Sequence, residues 1–247
     1  MLPIEIDRVL NGIPVMTLEQ GREISDFIRK NELRNCLELG FAHGVSTAYI
    51  AHAVKSLGNG RVVTIDREEA RQRDPNISVV LSRAGVPDDV VEVYFEPKSY
   101  NWRLMRFLEE GRAGTFDFVY VDGAHTWEVD GLATYLALIL LRPGGWILFD
   151  DLNWSFEKST INNEPWVQAL PKDERETAQV HKVWDLLVVG NPAFETLLEK
   201  DDWGYAQKST KAGHHTLIYR HHPFFQSLAR AARMVSRQLR RPHTGTR

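Results

Sequence analysis

Asp122, His125, Asp150 and Asp151 are the residues of this chain whose types and spacing could do chemistry together. Asp122 closes the apolar run "FDFVYVD" (116–122), and His125 follows three positions later, where a helical pattern begins. Asp150 and Asp151 close a second apolar run, "WILFDD" (146–151). If both runs are neighbouring parallel strands, about 5 Å apart, the three carboxylates meet at one rim. Charges of one sign held that close repel, so the group needs a cation, an arginine or protons. Oxygen donors alone suit Mg2+ or Ca2+ better than zinc. A neutral imidazole, with an ordinary pKa of about 6.5, is fitted to take up a proton beside them. The plainer alternatives are a turn or helix cap for the Asp pair, and a carboxylate partner or helix-entry role for His125.

A second group lies earlier, in "ELGFAHG" (38–44) and at Asp66. Gly40 permits a tight turn with close backbone approach, and Gly44 opens a helix whose first amides favour a negative group. Asp66 ends the next apolar run, "RVVTID" (61–66), where a carboxylate can accept both hydroxyls of a ribose. The loop lacks the G-x-G-x-x-G spacing of a dinucleotide site, so a nicotinamide dehydrogenase is disfavoured. An ordinary strand-to-helix turn is the plain alternative for the loop.

The elements that must position these residues alternate along the chain. A helix over 17–31, with Thr17 as N-cap, precedes strands at 35–40, 61–66, 90–96, 116–123 and 146–151. Helical patterns at 44–57, 76–85, 100–111 and 126–141 separate them, and "RPGG" (142–145) turns the chain. This rhythm predicts an α/β fold: a doubly wound, mostly parallel seven-stranded sheet with helices on both faces and an antiparallel hairpin near the C-terminal end. In such sheets ligands sit beyond the carboxyl ends of the strands, where both groups fall. The rhythm breaks after Asp151. A long polar stretch with Trp154, Phe156 and Trp166 (152–175) suits a lid or a sugar-stacking wall, or simple packing onto the sheet. A helix (176–190) follows, then "FETLLEK", "WGYAQKS" and "HTLIYRH" as strands, the last two forming the hairpin. The organisation is an N-terminal cap (1–31), a main domain (32–222) and a basic amphipathic tail (223–247).

"ELGFAHG" resembles the E-x-G-x-x-x-G loop of class I S-adenosylmethionine-dependent methyltransferases, and Asp66 stands where those enzymes carry their ribose-binding acid. "VYVDGAHT" followed by "LLRPGGWILFDD" resembles the metal-dependent bacterial O-methyltransferase branch, macrocin-type and mycinamicin-type sugar enzymes included. The wider catechol-type group shares that layout, and the likeness is good over roughly 35–152. The resemblance implies a Rossmann-like methyltransferase that binds S-adenosylmethionine through Glu38, Gly40, Phe41, Gly44, Asp66, Ser99 and Asp122. Phe41 and Ala42 would lie on the methionine side, and Lys98 and Ser99 at the adenine edge. It further implies Mg2+ or another divalent ion on Asp122, Asp150 and Asp151, with His125 as general base. The acceptor would be a small hydroxylated molecule, a sugar or secondary metabolite, with a lipid-linked glycan as one version. Two features depart from the pattern. The acidic pair is Asp-Asp where relatives have Glu-Asp or Asp-Asn, and "EPKSYN" lacks a glycine common near the adenine.

A charge of -3 disfavours nucleic acid as a partner, and 43% hydrophobic residues suffice for a core. One cysteine, Cys36, allows no intrachain disulfide, and "MLPIEIDRVL" does not read as a signal peptide. No stretch is long and apolar enough to span a bilayer. A cytoplasmic protein is expected. The arginine-rich tail offers a peripheral contact with an anionic membrane, a solvated helix, or a surface for a homo-oligomer. Two rival functions remain: a metal-independent methyltransferase whose Asp residues bind substrate, and a non-catalytic cofactor-binding protein that docks through its tail.

Overall fold

Among the described residues, the alternation of apolar runs and helical patterns produces a seven-stranded sheet of order β3-β2-β1-β4-β5-β7-β6. A computed structural model describes residues 3–211. The strands are β1 (Asn35–Leu39), β2 (Arg61–Arg67), β3 (Val91–Glu96), β4 (Phe116–Val121), β5 (Leu141–Phe149), β6 (Phe194–Lys200) and β7 (Trp203–Lys208). The first five run parallel, and β7 enters antiparallel between β5 and β6. The hairpin thus joins "FETLLEK" to "WGYAQK". "HTLIYRH" and the tail at 223–247 lie outside the described residues, as do His214, His215, His221 and His222.

Alternation of side chains divides each buried strand between two cores. Cys36, Val62, Phe118, Tyr120 and Leu148 face a layer built by α1 (Pro3–Leu10), α2 (Leu18–Lys30), α3 (Val45–Ser56) and α4 (Ile77–Arg83). Leu37, Val63, Val119, Val121, Ile147 and Phe149 face the other layer, to which α5 (Asn101–Glu109), α6 (Trp127–Leu140) and α9 (Gln179–Val183) supply core residues. The short helices α7 (Pro165–Gln168) and α8 (Lys172–Glu176) lie in the segment between α6 and α9 in the chain. Thr17 caps α2 as expected, and the cap is a reciprocal box with Gln20. The segment before β1 forms two helices, and Ile6 and Leu10 of α1 are buried in the first layer.

Two expectations change. "RPGG" is a bulge inside β5: Leu141 pairs with Phe116 and Trp146 with Phe118, with Gly144 at φ 74°. Asp117 anchors the bulge by pairing with Arg142, while its other oxygen accepts the amides of Arg34 and Asn35 at 2.9 and 2.8 Å. The helix expected over 176–190 is shorter and ends in a π turn, Trp184–Val188. There the buried Trp184 ring lies against Gly204, where a Cβ would come within 2.7 Å of the indole.

Candidate active site

The carboxyl ends of β1, β2, β4 and β5 bring both sequence groups to one rim. Register places Leu39 opposite Ile65 and Val121, so the turn after β1 lies between Asp66 and Asp122. Gly40 (φ 88°) holds that turn against β4: a Cβ there would lie 2.0 Å from the Asp122 carbonyl oxygen and 2.5 Å from Gly123 Cα. The close approach foreseen for Gly40 is therefore to the chain's own backbone. Gly44 (φ 93°) opens α3 with no room for a Cβ beside Ile77.

Asp66 faces the loop after β1: its Oδ2 accepts from Phe41 N at 3.0 Å and Ala42 N at 2.8 Å. Adjacent strands in register place the acid beside the loop, and two backbone donors hold it there. The Phe41 ring is buried with Ala70 and Ile77 and meets Phe95 edge-on at 5.4 Å, so Phe41 contributes backbone to the crevice. His43 is occupied structurally, with Nδ1 2.7 Å from the Pro75 carbonyl. Ser99 lines a narrow cleft with Asp66, Lys98, Tyr100, Gly123 and Ala124.

Glu38 is fully buried, and its Oε2 accepts from Thr47 and Thr64 at 2.5 and 2.6 Å. Oε1 has no partner among the described residues. Burial raises its pKa to about 7, against the pull of the Ser46, Thr47 and Thr64 hydroxyls. The unfolded chain releases this proton near 4.5, so ionisation costs the fold stability as pH rises from about 4.5 to 7. At 1.36 kcal/mol per pKa unit the loss is about 3 kcal/mol, complete above the folded pKa. Glu38→Gln should flatten this decline, read as urea midpoints at pH 5 and pH 8. An unchanged slope would remove Glu38 as its source.

At the centre of the rim, Asp122, His125 and Asp151 each offer one ligand atom, all within 4.8 Å of one another. His125 Nε2 is 2.9 Å from Asp151 Oδ2 and 3.7 Å from Asp122 Oδ1. Both His125 and Asp151 hold φ 56°, a left-handed backbone that costs a non-glycine residue about 1–2 kcal/mol. Strain of this kind gathers at functional sites. Asp150, foreseen as an equal third carboxylate, is turned inward. Tyr120 Oη donates to its Oδ2, while Trp203 Nε1 and the Asp151 amide (2.7 Å) donate to its Oδ1.

Burial raises the Asp122 pKa far above the carboxylate range, and the charges of Asp150, Asp151 and Glu38 add to it. Asp150 is pushed to about 6 by burial and by Asp151, opposed by its three donors. For His125, burial favours the neutral ring, but the Asp151 hydrogen bond and the charges of Asp151, Asp130 and Asp150 outweigh it, and its pKa rises. This set of groups calls for positive charge, and its donors, carboxylate oxygens with one imidazole, fit a divalent cation.

Sequence reasoning missed Tyr100, Tyr120, Asp202 and Trp203. Tyr100 Oη donates to Asp130, accepts the Ala124 amide at 3.3 Å, and packs where a Gly123 Cβ would stand. "EPKSYNW" and "FVYVD" contain both tyrosines, but nothing in either stretch tells which carboxylate they meet. The Trp154 ring lies tilted against the His125 ring at 4.7 Å, and Phe156 and Trp166 continue the row edge-on at 4.8 and 5.4 Å.

The strand order and its antiparallel end give a Rossmann-like methyltransferase fold. Residues 37–152 match a family model described as "Methyltransferase domain". Among curated proteins, the chain is 26% identical to caffeoyl-CoA O-methyltransferase 1 of Eucalyptus globulus, over 58% of this chain and 55% of that protein. It is 29% identical to catechol O-methyltransferase of Niastella koreensis, over 57% of this chain and 60% of the relative. The chain thus spans little more than half the length of these relatives. The fold matches that of an O-methyltransferase from Bacillus cereus in complex with SAH, with TM-score 0.62 and 22% identity over 83% of this chain and 91% of that one. It also matches an O-methyltransferase of tomaymycin synthesis from Streptomyces achromogenes in complex with SAM, with TM-score 0.59 and 23% identity over 84% and 87%. Among the described residues no helix is long and apolar enough to cross a membrane.

Proposed function

We propose that the protein transfers the methyl group of S-adenosylmethionine to a hydroxyl of a small acceptor, assisted by a divalent cation. The observation that carries this reading is the meeting of Asp122, His125 and Asp151 beside the Gly40–Asp66 turn. The unpartnered buried Glu38 Oε1 and the cleft at Asp66 and Ser99 support a cofactor on the β1–β2 side. Names of the curated relatives support O-methyl transfer. The row Trp154–Phe156–Trp166 supports an acceptor with a ring, sugar or aromatic, and the sugar-acting branch is our finer placement.

The division of labour follows from protonation. An alcohol is almost wholly protonated at neutral pH and attacks a sulfonium methyl poorly. Asp122 and Asp151, with Asp150 behind them, would hold the cation, which when bound lowers the acceptor's pKa and fixes its orientation. His125 has one free lone pair in its neutral form, so it serves as a ligand or as a base, not both. As base, His125 takes the hydroxyl proton on Nδ1, since Nε2–H is donated to Asp151 Oδ2, while the oxygen–methyl bond forms and the sulfur leaves as an uncharged thioether. Asp151 orients the ring and stabilises the imidazolium.

Methyl transfer to catechol and sugar acceptors should be lost with EDTA and restored by Mg2+ or Mn2+. The second reading, a metal-independent enzyme, is favoured by the His125–Asp151 pair, which is complete without a cation. EDTA-resistant turnover would establish it and sink the first.

A further inference from the structure

We infer that the β6–β7 turn is the positioning device of this acidic site, with Trp203 and Asp202 fixing the loop that carries Asp150 and Asp151. The inference rests on the reading of the site just given. Four successive positions after β5 are tied down, and most ties lead to this turn. Trp203 Nε1 donates to Asp150, and the Asp150 carboxylate accepts the Asp151 amide at 2.7 Å. The Leu152 amide donates to the Asp202 carbonyl at 3.0 Å, and the Asn153 amide to Asp202 Oδ1 at 2.6 Å.

Asp151 shows what the ties do. Its φ of 56° is costly for a residue with a side chain, and a free loop would relax to negative φ. That relaxation would swing its carboxylate away from His125, the partner it holds at 2.9 Å. A buried indole N–H and a buried carboxylate each need a partner, so the Trp203–Asp150 bond is costly to break from either side. The turn is itself braced from α2: Glu23 accepts from Lys200 at 2.7 Å and from Tyr205 at 3.1 Å. Trp203 and Asp202 touch no reacting atom. They act through Asp150 and Asp151, and both lie outside the segment that matches the methyltransferase domain.

The test uses the full chain with Trp203→Phe, Asp202→Ala and Asp202→Asn, the last keeping an acceptor for the Asn153 amide. Mn2+ and S-adenosylhomocysteine affinities are measured by calorimetry, with circular dichroism to confirm folding. Trp203→Phe and Asp202→Ala should weaken Mn2+ about tenfold or more, as loss of a supporting partner does. Asp202→Asn should stay near the parent, and S-adenosylhomocysteine affinity should not move. Parent-like Mn2+ affinity in the first two variants overturns the inference, as does a parallel fall in both affinities. If the parent itself binds no Mn2+, the cation reading fails separately. A crystal structure of Trp203→Phe then decides: loss of the Asp151–His125 contact upholds the positioning role, and its retention overturns it.

Discussion

Replacing His125 by Asn is expected to lower kcat by about 10²–10⁴-fold, the range for loss of a general base, with S-adenosylhomocysteine affinity unchanged. Asn is the informative substitution because it tolerates the left-handed backbone that His125 adopts at φ 56°. Alanine would mix loss of the imidazole with relaxation of the turn. Asn retains a polar group beside Asp151 but has no nitrogen that accepts a proton near neutral pH. The proton must then go to water or to a carboxylate already crowded by others. Steady-state kinetics with saturating cofactor reads the effect in kcat rather than in cofactor KM. A variant within about threefold of the parent would leave His125 with only its role as the partner of Asp151 and Trp154.

Gly40→Ala should destabilise the fold by about 3 kcal/mol or more and abolish cofactor binding. Part of the cost is dihedral, about 1–2 kcal/mol for a side chain at φ 88°. The remainder is steric, because the added carbon would meet backbone atoms of Asp122 and Gly123, which cannot rotate away. Relief requires separating the β1 turn from β4, which moves Asp66 and Asp122 apart. Gly111→Ala isolates the dihedral part: φ is 79° there, but no atom lies within 4 Å of the new carbon. Urea unfolding of the two variants should differ by the steric share. Equal losses would mean that the contact between the turn and β4 yields easily.

The parallel core was legible because its strands are continuous apolar runs and its helices carry a 3.6-residue period. "RPGG" misled because Pro and Gly signal a turn, while the tether from Asp117 to Arg142 that holds it in the strand comes from a different element. The carboxylates were legible as strand-end residues, and the structure does gather them. Their separate roles were not, since sequence neighbours do not show hydrogen-bond partners. Asp150 turns inward for an indole 53 residues away, and Asp66 faces loop amides 25 and 24 residues before it. His125 and Asp151 meet only because β4 and β5 pair in one register, Val121 opposite Phe149.

The place of β7 between β5 and β6 bears on how the chain is made. During synthesis β1 to β5 can pair while Trp203 is still untranslated. At about 5–20 residues per second, the 53 residues separating Asp150 from Trp203 take about 3–10 seconds to add. Throughout that interval β5 is an open edge, able to pair with another nascent chain, and Asp150 lacks its indole donor. Arrival of the hairpin closes both vacancies at once. A ribosome pause placed before Trp203 should therefore prolong a sticky, unfinished state, whereas one placed after β7 should do so far less.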